Sequence, residues 1–202
     1  MHILHIDSSA SDAASSHSRR LSAALVEKLK AANAGASVTY RDVAKDRLPH
    51  VDMTIRQAWS PEGEQDSILS ETAARSKAAV DELRAADVLV IGSPMYNFSI
   101  PSTLKSWIDH VVIAGQTFRY MENGPKGLLT GKAYLALSSG GIYSQGPFAG
   151  NEHLATYLSA VLRFIGISEV EVIRAEGIAY GPDQDTAAMA SAQERINTLI
   201  TA

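Results

Sequence analysis

Val88-Leu89-Val90-Ile91-Gly92-Ser93-Pro94-Met95-Tyr96-Asn97-Phe98 is an unbroken apolar run that feeds a loop of aromatic and amide side chains. Strands of a parallel sheet are covered on both faces and therefore read as continuous Val/Ile/Leu instead of alternating. A strand is expected over Val88–Ile91, stopped at Pro94, whose ring fixes φ and removes a ladder donor. Loops leaving the carboxyl ends of such strands are where open α/β sheets hold ligands. Met95, Tyr96 and Phe98 lose free energy in water, which leaves two readings: they are covered by a flat conjugated ligand, or they plug the top of the core.

The rest of the chain alternates in the same way. His2–Ile6 reads as a first strand, and Ser18–Ala32 carries Leu21, Leu25 and Leu29 on one helical face. Ser37–Arg41 reads as a second strand; a weak helical segment over Asp52–Trp59 is broken at Pro61-Glu62-Gly63, and Ser67–Ala85 is a long amphipathic helix. After the Met95 loop, a helix is expected from a Ser99 cap and first-turn Pro101 to Gly115. Thr117–Tyr120 and residues near Leu128-Leu129 flank Asn123-Gly124-Pro125, a hairpin outside the main sheet. Lys132–Leu137 and Val170–Ala175 complete the strands, with helices over Glu152–Ile165 and Thr186–Leu199. This order implies a parallel five-stranded sheet of order 2-1-3-4-5 with helices on both faces, an α/β flavodoxin-like three-layer sandwich.

Length and composition exclude several classes. A chain of 202 residues suits one domain, 1–202, and its 46% hydrophobic and 20% charged residues are those of a globular protein. No apolar run approaches the roughly 18 residues of a membrane span, and the N-terminus lacks a basic leader, so a cytoplasmic protein is expected. A net charge of -4 offers no basic surface for nucleic acid. The absence of cysteine removes thiolate nucleophiles, Fe–S clusters and cysteine zinc sites, and with them the cysteine-dependent phosphatases that can share this architecture. The six histidines show no ligand spacing, so no metal is expected. Gly127-Leu128-Leu129-Thr130-Gly131-Lys132 is a residue short of a P-loop and precedes a strand, and there is no G-x-G-x-x-G after the first strand.

The loop Asp7–Ser18 is crowded with hydroxyls and opens a helix, with Arg19-Arg20 just inside it. Orphan N–H groups and the positive helix end attract an anion, and Ser9, Ser16 and Ser18 are the candidate phosphate donors; any single serine reads better as a helix cap, but a cap needs only one and the loop holds a cluster. Ser16-His17-Ser18, Pro94–Phe98, Thr117–Tyr120 with Glu122–Pro125, Ser139-Gly140-Gly141 and Ala175–Gly181 together resemble the FMN-dependent NADH azoreductase, or NADH:quinone oxidoreductase, family over nearly the whole chain. The resemblance implies a homodimer with one FMN per subunit, NADH as hydride donor and a quinone or azo acceptor, the flavin carrying the chemistry without a catalytic side chain. By motif, Ser9, Ser16, His17 and Ser18 would bind the FMN phosphate, Met95, Tyr96, Asn97 and Phe98 would lie along the ring, and Ser138, Ser139, Gly140 and Gly141 would close its pyrimidine side. Two departures stand out: the phosphate loop is one residue longer before Ser16, and Ser139 stands where an arginine often precedes the glycines. Phe118, Tyr120 and Phe164 are candidates for the acceptor pocket, although the apolar flank Leu162–Ile167 reads more readily as core for Phe164. The competing class is a flavodoxin-type FMN electron carrier, which calls for a more acidic surface.

Overall fold

The computed structural model describes residues 1–59 and 67–200, so the expected break at Pro61-Glu62-Gly63 lies outside the described residues. The elements run β1 (His2–Asp7), α1 (His17–Ala32), β2 (Ser37–Asp42), α2 (Met53–Ala58), α3 (Ser67–Ala85), β3 (Val88–Pro94), α4 (Ser102–Val111), β4 (Phe118–Met121), β5 (Gly124–Gly127), β6 (Lys132–Ser139), α5 (Leu154–Phe164), β7 (Glu169–Glu176) and α6 (Pro182–Leu199). Five strands form one parallel sheet in the order β2-β1-β3-β6-β7, the expected 2-1-3-4-5 once the β4–β5 hairpin is set aside.

Strand alternation divides the apolar residues between two layers. Leu4, Ile6, Leu89, Ile91, Leu135 and Leu137 bury against α3, α4 and α5. Ile3, Val88, Val90, Ala136, Ile173 and Ala175 bury against the Leu21, Leu25 and Leu29 face of α1 and the Ala188, Ala192 and Ile196 face of α6. Both faces of the sheet are covered, which is why its strands read as solid apolar runs.

Several boundaries differ from the sequence reading. β3 continues through Ser93 and Pro94, in register with Leu137 and Ser138, and Met95 N–H donates to Ser138 O at 2.7 Å. Proline therefore ends the strand without ending the contact. α4 starts at Ser102 with Pro101 as its cap residue and no side-chain cap bond, and it ends at Val111; Ser99 is instead paired with Tyr96, and Gly115, at φ +81, opens the hairpin. β5 begins at Gly124, opposite Met121, rather than near Leu128. α6 begins four residues early because Pro182 occupies the first turn, where its missing N–H costs nothing.

Candidate cofactor site

The chain leaves β1 as a loop sewn to β3: Ser8 N–H and Oγ–H both donate to Gly92 O, at 3.0 and 3.1 Å. Ser9 Oγ accepts from Ser11 N–H at 3.2 Å, and Asp12 Oδ1 accepts from the Ser15 hydroxyl and N–H at 2.6 and 2.9 Å. Those bonds hold the Asp12 carboxyl below the usual carboxylate range. Ser16 is extended and caps α1, accepting from Arg19 N–H at 3.4 Å, with Ser18 Oγ 3.3 Å from its own. A cap uses one hydroxyl; here Ser9, Ser16 and Ser18 are all buried around the first turn of α1, whose N–H groups have no intrahelical partner. The His17 Nε2 lies 2.7 Å from Asp185 Oδ1 in the first turn of α6, so the ring is held by α6 and what His17 offers the loop is its main chain.

The loop after β3 is a tight turn. Tyr96 and Ser99 exchange both backbone bonds, at 2.9 and 3.1 Å, around Asn97 and Phe98, which lie at φ +49 and +71. Two consecutive positive φ values are the signature of a type I′ turn, a geometry that favours Asn-Gly. Asparagine tolerates it; phenylalanine is strained there by about 1–3 kcal/mol. The core-plug reading of the apolar loop holds for Met95 and not for its aromatic neighbours. Met95 packs on the core, whereas Tyr96 and Phe98 are 40% and 45% exposed. Tyr96 Oη accepts from Ala10 N–H at 3.3 Å, tying this loop to the serine loop, and the Phe98 ring stands edge-on to Tyr143 at 5.8 Å.

Tyr143 belongs to the third loop, after β6. Ser138 and Ser139 are buried, and the Ser139 hydroxyl donates to Gly141 O at 2.8 Å, inside its own loop. The loop docks on the segment after β7: Gly177 N–H donates to Gly141 O, Ala179 N–H to Gly140 O, and Glu176 Oε1 accepts from Tyr143 and Ser144 N–H, both at 2.9 Å. The Ala175–Gly181 motif is thus the platform of the glycine loop, and this docking uses the glycine carbonyls, not their N–H groups. A Cβ on Gly140 would meet only Ala179 Cβ, at an ordinary 3.4 Å, so the chain's own packing does not demand glycine there.

Sequence reasoning missed the polar network under the serine loop. Asp7, Arg19, Tyr40 and Asp42 come from β1, α1 and β2; burial and then the Asp7 charge push the Tyr40 phenol up to about 12. Burial alone would raise the Asp42 carboxyl, but the hydrogen bond and charge of Arg19 more than offset it and hold Asp42 below its ordinary value. A carboxylate ending each of the first two strands was the available signal. Glu176 lies within the Ala175–Gly181 motif, and its partners lie in another loop, so its own stretch of sequence assigns it no role.

Phe118, Tyr120 and Phe164 do come together, with Phe118 4.6 Å from Phe164 and 5.5 Å from Tyr120. Phe164 is 38% exposed, which corrects its reading as core: it ends α5 and borders an apolar groove of about 430 Å³ lined also by Ile108, Val112, Tyr157 and Val161. Tyr157 also borders a second groove, of about 520 Å³, with Tyr96, Asn97, Ile100 and Lys105. Among the described residues, no helix is long and apolar enough to cross a membrane, and there is no cluster of metal-ligating side chains.

Residues 1–200 match the family described as the flavodoxin-like fold. The chain is 44% identical over 203 residues to an FMN-dependent NADH:quinone oxidoreductase of Ralstonia nicotianae, covering 99% of this chain and 97% of the relative. It is 46% identical over 199 residues to a protein of the same name from Rhizobium meliloti, covering 97% and 95%. Among solved structures it is similar to an FMN-dependent NADH-azoreductase from Bacillus anthracis in complex with FMN, at 27% identity and a TM-score of 0.88, covering 99% of both chains.

Proposed function

The chain belongs to the flavodoxin-like fold family, and on that premise we propose that it is a cytoplasmic FMN-dependent oxidoreductase, one unit over 1–202, that uses NADH to reduce quinones and azo compounds. The observation that carries the reading is the meeting of three loops of different composition at the carboxyl ends of β1, β3 and β6, tied by the Ala10–Tyr96 and Met95–Ser138 hydrogen bonds and the Phe98–Tyr143 contact. The residues present fit FMN: hydroxyls and a helix N-terminus suit a phosphate, exposed Tyr96 and Phe98 suit a flat ring, and Gly140 leaves room for close approach. FMN held there would supply the redox chemistry, a two-electron transfer from NADH to the acceptor, and the proposed kinetic order is ping-pong, with both substrates using the same open face of the site.

The protein's part is to bind, orient and polarise. Ser9, Ser16 and Ser18 hydroxyls and the His17 N–H hold the phosphate; Met95, Tyr96, Asn97 and Phe98 flank the ring; Ser138, Ser139, Gly140 and Gly141 close its pyrimidine side, where main-chain N–H groups stabilise developing negative charge. Phe118, Tyr120 and Phe164 shape the acceptor pocket. The exposed apolar groove between α4 and α5 supports a homodimer; light scattering is expected to give twice the 21.6 kDa of one chain.

Steady-state NADH oxidation with a benzoquinone and an azo dye tests the reading: parallel double-reciprocal lines are expected with either acceptor. An FMN-loaded protein that consumes no NADH with either would instead be an electron carrier. Phe98→Gly probes the strained turn. Glycine relieves the positive-φ strain of about 1–3 kcal/mol and gives up a ring contact of about 0.5–1.5 kcal/mol, so the melting temperature stays nearly constant while flavin affinity falls. Thermal melts and FMN titration read the two effects separately.

A further inference from the structure

We propose that Arg19 is the positioning residue of the phosphate cradle, acting through the main chain of Ser9 and Ser11 and not by touching the anion; this rests on the FMN reading above. Its guanidinium makes four hydrogen bonds and a further ion-pair contact, all to the protein itself. Nε donates to Ser11 O at 2.9 Å, Nη2 to Ser9 O at 2.6 Å and Asp42 Oδ1 at 2.9 Å, and Nη1 reaches Tyr40 Oη at 3.0 Å and Asp42 Oδ2 at 2.9 Å. Asp7 Oδ2 lies 3.6 Å away, and the side chain is 5% exposed. An arginine beside a phosphate loop invites assignment as an anion ligand. With all three guanidinium nitrogens engaged by the protein, the side chain buried and two carboxylates against it, Arg19 is not placed to serve as one.

What it does follows from peptide geometry. A trans peptide directs its C=O and the next N–H to opposite sides. Pinning Ser9 O and Ser11 O inward on the guanidinium therefore turns the N–H groups of Ala10 and Asp12 away from the buried network. Ala10 N–H accordingly reaches the Tyr96 hydroxyl on the neighbouring loop. The backbone N–H of Arg19 donates to the Ser16 hydroxyl, so one arginine connects the Ser9 end of the loop to the Ser16 end. Two carbonyls and a bidentate carboxylate around one planar group call for a guanidinium; an ammonium has three donors and no fork. Burial works against the charge of Arg19, but Asp42 and Asp7 outweigh it and keep the group firmly protonated.

The effect should be confined to the phosphate end of the ligand, which a general loosening of the fold would not be. FMN and riboflavin dissociation constants measured on wild type and Arg19→Lys separate the two cases, since riboflavin lacks only the phosphate. Arg19→Lys is expected to weaken FMN about tenfold or more and riboflavin less than about twofold. Tyr40→Phe, which removes one acceptor of the fork at a half-exposed position, guards against misfolding of the lysine variant and is expected to lower the FMN-to-riboflavin affinity ratio about two- to threefold. An unchanged ratio in a folded variant, or an equal loss for both ligands, overturns the proposal. Wild-type protein that takes up neither ligand overturns the FMN reading itself, and the proposal with it.

Discussion

Gly92→Ala is expected to destabilise the protein by about 3 kcal/mol, a fall of roughly 6–12 °C in melting temperature for a chain of this size. Gly92 sits in β3 directly beside Asp7 of β1. A Cβ there would stand 2.2 Å from Asp7 Oδ1, 2.7 Å from Ser22 Oγ and 2.9 Å from Ser22 Cβ. Asp7 cannot swing aside freely, because its carboxylate is buried and accepts from Ser22 Oγ at 2.7 Å and Tyr40 Oη at 3.1 Å. Moving it strips hydrogen bonds from a buried charge, at about 1.5–3 kcal/mol each; leaving it forces β1 and β3 apart under the serine loop. Either way the Arg19 network is disturbed, so FMN affinity should fall along with stability. Thermal melts of the apoprotein and FMN titration check both parts, and a melting temperature within a degree of wild type would show that Asp7 has room to spare.

The same glycine shows what the sequence makes legible. Val88–Ile91 announces a buried parallel strand through its own composition, because each residue meets apolar neighbours whichever face it points to. Gly92 looks like mere punctuation until β1 is laid beside it. The hairpin marks the opposite limit: Gly124-Pro125-Lys126-Gly127 has no strand pattern, and it pairs with Phe118–Met121 through the main chain. Helix α6 hid its first turn because Pro182 reads equally well as loop or N1. At the site, the serine, aromatic and glycine loops declare themselves by local composition. Arg19 and Glu176 do not, for a single charge acquires meaning only from partners such as Asp42 or Tyr143, far away in the chain.

Glu176→Ala should weaken FMN by about 10- to 100-fold while leaving the apoprotein's stability within about 1 kcal/mol. Glu176 closes β7, in register with Ser139, and its Oε1 alone takes the N–H groups of Tyr143 and Ser144. Alanine removes both charge-assisted bonds. The remaining ties, Gly177 N–H to Gly141 O at 3.0 Å and Ala179 N–H to Gly140 O at 3.1 Å, are main chain and survive, so the sheet and its cores stay intact. The loop loses its hold beyond Gly141, and with it the placement of the Tyr143 ring against Phe98. Glu176→Gln separates geometry from charge, because an amide oxygen can accept the same two N–H groups. Recovery of FMN affinity to within a few-fold of wild type assigns the effect to the position of the loop. A glutamine variant as weak as alanine would instead assign it to the negative charge, and an alanine variant that binds FMN as wild type does would mean that the glycine loop keeps its place without Glu176.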